Sequence, residues 1–143
     1  MTTYIVVADA ARARIFTREG RELSEQEDLF NAEGRLHEGD LVTDLGSDVN
    51  NEVPVRSSGS SGEHDTAREH EVEFFAKQVV EYLQKARTDN RLDKLVLVAS
   101  PRFLGRLRDN LDTATRDLVI GTLDKELTKA SPDEIREAVS DLR

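Results

Sequence analysis

The 143-residue sequence predicts a single α/β domain, with a mixed five-stranded sheet and helices packed on it. In that sheet an antiparallel meander of the first three strands joins two parallel strands. Three observations carry this expectation. Two unbroken apolar runs, Tyr4-Ile5-Val6-Val7-Ala8 and Leu95-Val96-Leu97-Val98-Ala99, have the form of strands buried on both faces. The first run is followed by a period-two segment, with Ala11, Ala13 and Ile15 on one side and Arg12, Arg14 and Phe16 on the other. Between the two runs lies a stripe at helical spacing, made of Val72, Phe75, Ala76, Val79, Leu83 and Ala86.

In chain order, the short Asp9-Ala10 connection implies that the first two strands pair antiparallel. Glu19-Gly20-Arg21 is a turn, and Arg21 to Leu29 returns as a third, more polar strand near a sheet edge. Residues 31–65 fit no periodic pattern. They hold Gly34, Gly39, Gly46, Pro54 and the Ser57–Gly62 tract, and are expected to form a long flexible loop. Thr66-Ala67-Arg68-Glu69 has capping-box spacing and predicts the start of a crossover helix ending near Arg87 to Asn90. That helix leads to the strand at 95–99, which pairs parallel with the first strand through a right-handed connection. Ser100-Pro101 predicts an immediate turn into another helix, with Ser100 as N-cap and Pro101 in the first turn. A short helical turn at Asp112–Asp117, a fifth strand at Leu118–Leu123 and a last helix starting at Ser131-Pro132-Asp133-Glu134 complete the chain. Ile135, Ala138, Val139 and Leu142 form the buried stripe of that last helix.

Composition narrows the function. Hydrophobic residues are 37% and charged residues 34%, and no apolar run approaches the ~20 residues that span a bilayer. The start of the chain lacks the basic stretch and cleavage site of a signal peptide. There is no cysteine, which removes disulfides, thiolate metal sites and cysteine nucleophiles. A cytoplasmic protein without membrane insertion is expected. A net charge of −9 argues against general DNA binding, because phosphate contacts need clustered Lys and Arg. Local charge differs: Arg12, Arg14 and Arg18 cluster early, and Arg102, Arg106 and Arg108 cluster after the second apolar run. These are either solvated faces or patches for phosphate or RNA.

The strongest anion candidate is the helix start at Ser100. Arg102 and Arg106, four apart, share a helical face there with the Ser100 hydroxyl and the free N–H groups of the first turn. The competing expectation is that Asp109 and other acids pair with them. Glu63, His64, Asp65, Glu69, His70 and Glu71 gather ionisable groups near the crossover helix. His64 or His70 there could serve as a general base. They are six apart, not the four that would place two metal ligands on one helical face, so no metal and no cofactor are expected. Asp9 ends the first strand, where some nucleases hold metal. The neighbouring strand ends in Ser100-Pro101 with no second carboxylate, which favours a turn residue or an Arg partner. Ser100 lies in no Gly-x-Ser-x-Gly, so it reads as a cap rather than a nucleophile.

Several segments together resemble the bacterial host-attachment protein family. They are Val7-Ala8-Asp9-Ala10-Ala11-Arg12-Ala13-Arg14-Ile15-Phe16, Phe75-Ala76, Leu97-Val98-Ala99-Ser100-Pro101-Arg102-Phe103-Leu104-Gly105-Arg106-Leu107-Arg108 and Asp124-Lys125-Glu126-Leu127-Thr128. That family in turn looks like the middle domain of archaeal and eukaryotic peptide-release factors. Phe74-Phe75-Ala76 lies where those factors carry an Arg-Phe-containing crossover helix, and Val119–Asp124 resembles their last strand. Their Gly-Gly-Gln, which positions water for ester hydrolysis, occurs nowhere in this chain. The resemblance therefore implies a release-factor-like fold and a non-enzymatic module that binds a ribosome or structured RNA. The alternatives are a hydrolase of a phosphoester or aminoacyl ester using His64 or His70, and a homo-oligomeric scaffold paired through a sheet edge.

Overall fold

The computed structural model of the chain describes residues 1–32 and 60–143, with side chains from residue 67 onward in the second segment. The five strands are β1 (Thr3–Ala8), β2 (Arg12–Glu19), β3 (Glu22–Phe30), β4 (Lys94–Ala99) and β5 (Val119–Asp124). The helices are α1 (Ser60–Thr88), α2 (Pro101–Asn110), α3 (Thr113–Arg116) and α4 (Pro132–Ala138). The strands form one sheet in the order β3-β2-β1-β4-β5, with β1-β2 and β2-β3 antiparallel and β1-β4 and β4-β5 parallel. This is a single α/β domain with the expected mixed sheet. Among the described residues, no helix is long and apolar enough to cross a membrane.

The two apolar runs lie side by side at the centre of the sheet, and both of their faces are buried. Tyr4, Val6 and Ala8 of β1, with Leu95, Leu97 and Ala99 of β4, face α1 and α2. Ile5, Val7, Val96 and Val98 face the opposite way, toward Ile135 and Val139 at the C-terminal end of the chain. Each of these fully buried Val, Leu and Ile side chains contributes about 1.5–3 kcal/mol relative to solvent exposure. The alternation in β2 sorts in the same way: Ala13 and Ile15 join the helical side and Phe16 the other.

Local signals explain the ends of the elements. Gly20, at φ 66°, supplies the left-handed residue of the two-residue turn between β2 and β3. Asn90, at φ 63°, closes α1, and the Arg91 N–H donates back to the Ala86 carbonyl. Asp112 caps α3 by accepting from the Thr115 N–H, and Ser131 with Glu134 forms the reciprocal capping box that starts α4. A Cβ on Gly121 would lie 2.7 Å from Leu142, so the absent side chain lets the C-terminal segment close against β5.

Two expectations are corrected. The crossover helix begins at Ser60 rather than at Thr66, so Thr66 lies inside α1 and Thr66–Glu69 is not its capping box. Helical backbone therefore runs through Ser60–Asp65, inside the stretch expected to be loop. The remainder of the expected loop, residues 33–59, lies outside the described residues. Ser100 does occupy the N-cap position of α2, with φ −65° and ψ 158°, but its side chain makes no cap hydrogen bond. Pro101 at the next position fixes the helical φ of the first turn, and the N–H groups that a Ser100 cap would satisfy, those of Arg102 and Phe103, stay open at the helix start.

Candidate functional site

The parallel register pairs Ala8 with Ala99, so β1 and β4 end together and Asp9 and Ser100 leave the sheet side by side. Crevices outside the carboxyl ends of parallel strands are where open α/β sheets bind ligands. A cleft of about 630 Å³ opens at this place. It is lined by Asp9, Ala10, Ala11 and Ser100 from the strand ends and by Val72 and Phe103 from the helices. Arg68 and Glu69 of α1, Arg102 and Arg106 of α2, and Glu126 beyond β5 supply its charge.

Asp9 is fixed by its own turn. One carboxylate oxygen accepts the N–H groups of Ala11 and Arg12, each at 2.8 Å, and the other accepts the Thr128 hydroxyl at 2.9 Å. This is the turn role expected of it. Arg106 is half-buried and also committed: it meets Glu73 at 3.0 Å and Glu69 at 3.8 Å, tying α2 to α1. Asn110 donates to the same Glu73 at 3.0 Å. Hydrogen bonds from Asn110 and Arg106 hold the Glu73 carboxyl below its ordinary value, against the opposing effect of burial. Arg106 thus pairs with acids, as the competing expectation held, but with acids of α1 rather than Asp109. Arg102 and Arg68 differ. Both are exposed at the cleft, and neither has a hydrogen bond or ion pair among the described residues.

The structure brings Asp9, Ser100, Arg102 and Arg106 together and leaves the other candidates elsewhere. Arg12 clamps Asp28 with two hydrogen bonds of 2.8 and 2.6 Å and lies over the Phe30 ring at 5.4 Å. That contact raises the Arg12 pKa and lowers that of Asp28. Arg14 is buried, binds Glu25, and donates to the carbonyls of Thr128 and Ala130 at 3.1 and 2.6 Å. Its guanidinium sits 5.1 Å from the Phe16 ring centre. His70 is exposed and lines a separate groove with Asn31, Phe74 and Lys77. The side chain of His64 lies outside the described residues. Among the described residues, no group of three or more His, Asp or Glu is placed to hold a metal ion.

Sequence reasoning missed Arg68 and Glu126 as cleft residues. Arg68 stands four before Val72, so it extends the buried stripe of α1 by one turn on the same face. Glu126 follows the carboxyl end of a strand parallel to β1 and β4, which places it at the same end of the sheet.

The profile of a family described as "Protein required for attachment to host cells" matches residues 4–139. The chain belongs to this family. The host-attachment chain is also 27% identical over 78 residues to the uncharacterized protein RP470 of Rickettsia prowazekii (strain Madrid E). That alignment covers 53% of this chain and 52% of RP470. The fold of the host-attachment chain is similar to the crystal structure of the archaeal translation termination factor aRF1, with a TM-score of 0.53 and 12% identity. This likeness covers 98% of the host-attachment chain and 38% of the termination factor. A second solved archaeal protein aligns over 98% of this chain and 37% of its own, with a TM-score of 0.48 and 9% identity. The host-attachment chain thus spans about half the length of its curated relative and well under half of the solved structures. The likeness to aRF1 establishes a release-factor-like fold, and a fold alone assigns no activity.

Proposed function

We propose that this host-attachment protein is a non-enzymatic binding module that docks on a ribosome or another structured RNA through the cleft at the carboxyl ends of β1 and β4. The observation that supports it most is the pair of guanidiniums without a partner among the described residues, Arg102 in the first turn of α2 and Arg68 across the cleft on α1. Guanidinium forks suit phosphate, and the N-terminus of α2 adds free N–H groups and a partial positive charge. Arg106, held by Glu69 and Glu73, ties α2 to α1 beside the cleft and so fixes the two helices that carry Arg68 and Arg102 relative to each other. A fold shared with a translation termination factor fits such a partner. The absent Gly-Gly-Gln argues against peptidyl-ester hydrolysis by the release-factor route. On this reading the attachment role in the family description is indirect, exerted through translation rather than by adhesion.

Co-sedimentation of the purified protein with ribosomes tests the proposal, at low and at moderate salt. Binding should weaken as salt rises and should be lost in Arg68→Ala/Arg102→Ala, which removes two phosphate contacts without touching an internal ion pair. Absence of co-sedimentation at low salt, or unchanged binding by the double variant, refutes it.

A further inference from the structure

A second cleft, of about 430 Å³, lies at the other end of the sheet and is lined by Arg18, Arg21, Arg136, Glu137, Ser140 and Arg143. Arg18 pairs with Thr3 at the start of β1, whereas the first cleft lies beyond Ala8 at its end. The two clefts are therefore separated by the length of a six-residue strand, about 20 Å. Four arginines and one glutamate line this space in a chain whose net charge is −9. Such a local reversal of sign needs an explanation.

Internal ion pairing does not supply one. Arg18 is buried, at 6% exposure, and its guanidinium donates to the carbonyls of Val139, at 3.0 Å, and Leu142. Carbonyls satisfy its N–H groups but leave its positive charge uncompensated. Burial and the nearby Arg143 accordingly lower the Arg18 pKa. Arg143 donates to the Ser140 carbonyl at 3.1 Å, and Arg21 has no partner among the described residues. Among the described residues, neither meets an acidic side chain there. Only Arg136 does, with Asp133 at 2.8 Å, and both members of that pair are more than half exposed, so solvent screens it. Among the described residues, Glu137 is the single acidic side chain in the lining.

We propose that this second cleft binds a phosphate-type oxyanion, with Arg21 and Arg143 as the contacting groups and Arg18 as the fixed charge beneath them. Several planar forks converging on one cavity match a tetrahedral oxyanion that offers many acceptors. The volume admits a phosphate that carries a substituent. The proposal is independent of the ribosome-docking reading, which rests on Arg68 and Arg102.

The test is a titration at constant ionic strength with inorganic phosphate, pyrophosphate or a short single-stranded RNA, with chloride as the control. Arginine Nε–H signals in NMR report the site. Saturable shifts at Arg21 and Arg143 are expected. Affinity should fall about tenfold or more in Arg21→Ala/Arg143→Ala and should hold in Arg68→Ala/Arg102→Ala. Arg21→Glu, at an exposed turn, serves as a second variant and should weaken binding further through charge reversal. Saturation by pyrophosphate assigns a small phosphate ligand, and saturation by RNA alone assigns a polymer backbone; both support the site. No saturable shift with any of the three probes, shifts that chloride reproduces, or affinity unchanged from that of the unsubstituted protein in both Arg21 variants, overturn it. Because ribosome sedimentation reads the other cleft, either proposal can fail without the other.

Discussion

On one side of the sheet, α1 and α2 cover β1, β4 and β2 with a continuous apolar layer, in which Phe75, Leu83, Leu97 and Leu107 have no solvent exposure. On the other side the cover, among the described residues, is a seven-residue helix and irregular chain. Its fully buried apolar contribution is smaller: Ile135 and Val139, with Leu127, Ala130 and Leu142 half-buried around them, against Ile5, Val7, Phe16, Val96 and Val98. Here two arginines of β2 take up part of the work. Arg14 donates to the carbonyls of Thr128 and Ala130, and Arg18 to those of Val139 and Leu142. The difference follows from backbone hydrogen bonding. A long helix satisfies its own carbonyls and needs only an apolar face to dock. An irregular segment leaves carbonyls open, and a buried arginine with five N–H donors can satisfy several at once.

That contrast can be broken experimentally. The largest effect is expected on the helical side, where Leu97→Ala should cost about 2–5 kcal/mol through lost burial and the cavity left behind. Denaturant unfolding measures it, and a loss below about 1 kcal/mol would mean that the layer repacks freely around the smaller side chain.

A smaller and more local effect is expected on the other side. Arg18→Met keeps the apolar stem but removes the donors to Val139 and Leu142, at a cost of about 1–3 kcal/mol. Amide exchange should quicken in α4 well before it quickens in α1. Equal acceleration in both helices would show that the two faces open as one unit and would end the distinction.

The smallest effect is electrostatic and sharpens the comparison on the helical side alone. Asn110 and Arg106 hold the Glu73 carboxyl below its ordinary value. The unfolded chain therefore takes up this proton at a higher pH than the folded chain does. The stabilisation is complete above the ordinary carboxylate range near pH 4 and is lost as pH falls through the lower, folded value. Glu73 is about one-third exposed, so solvent weakens the contribution. Glu73→Gln should flatten part of the acid-side decline in the urea midpoint. The remaining slope should come from groups such as Asp28, which Arg12 holds low in the same way. An unchanged decline would show that Glu73 contributes nothing to it.

Much of this architecture was legible in the residues. Unbroken apolar runs specified the central parallel pair, because only a strand covered on both faces tolerates Leu95 to Ala99 without a polar break. Ser131 to Glu134 specified the start of α4, because a capping box is completed within four residues. The same spacing at Thr66 to Glu69 misled, since a helix already begun at Ser60 needs no cap six residues later. The first cleft was half legible: Asp9, Ser100 and Arg102 could be placed at strand ends and a helix start, whereas Arg68 and Glu126 could not be joined to them.

By itself, then, the sequence determined what short-range chemistry decides: strand and helix periods, the Gly20 turn, the cap at Ser131, membership of the host-attachment family and the absence of Gly-Gly-Gln. The tertiary structure alone decided which arginines are spent and which are free. Arg12, Arg14, Arg18 and Arg106 look alike in sequence to Arg68, Arg102 and Arg21, yet the first four bind partners inside the fold and the last three have none among the described residues. A guanidinium reaches partners far along the chain, as Arg18 does across 121 residues to Val139, and only folding brings those partners within hydrogen-bond distance.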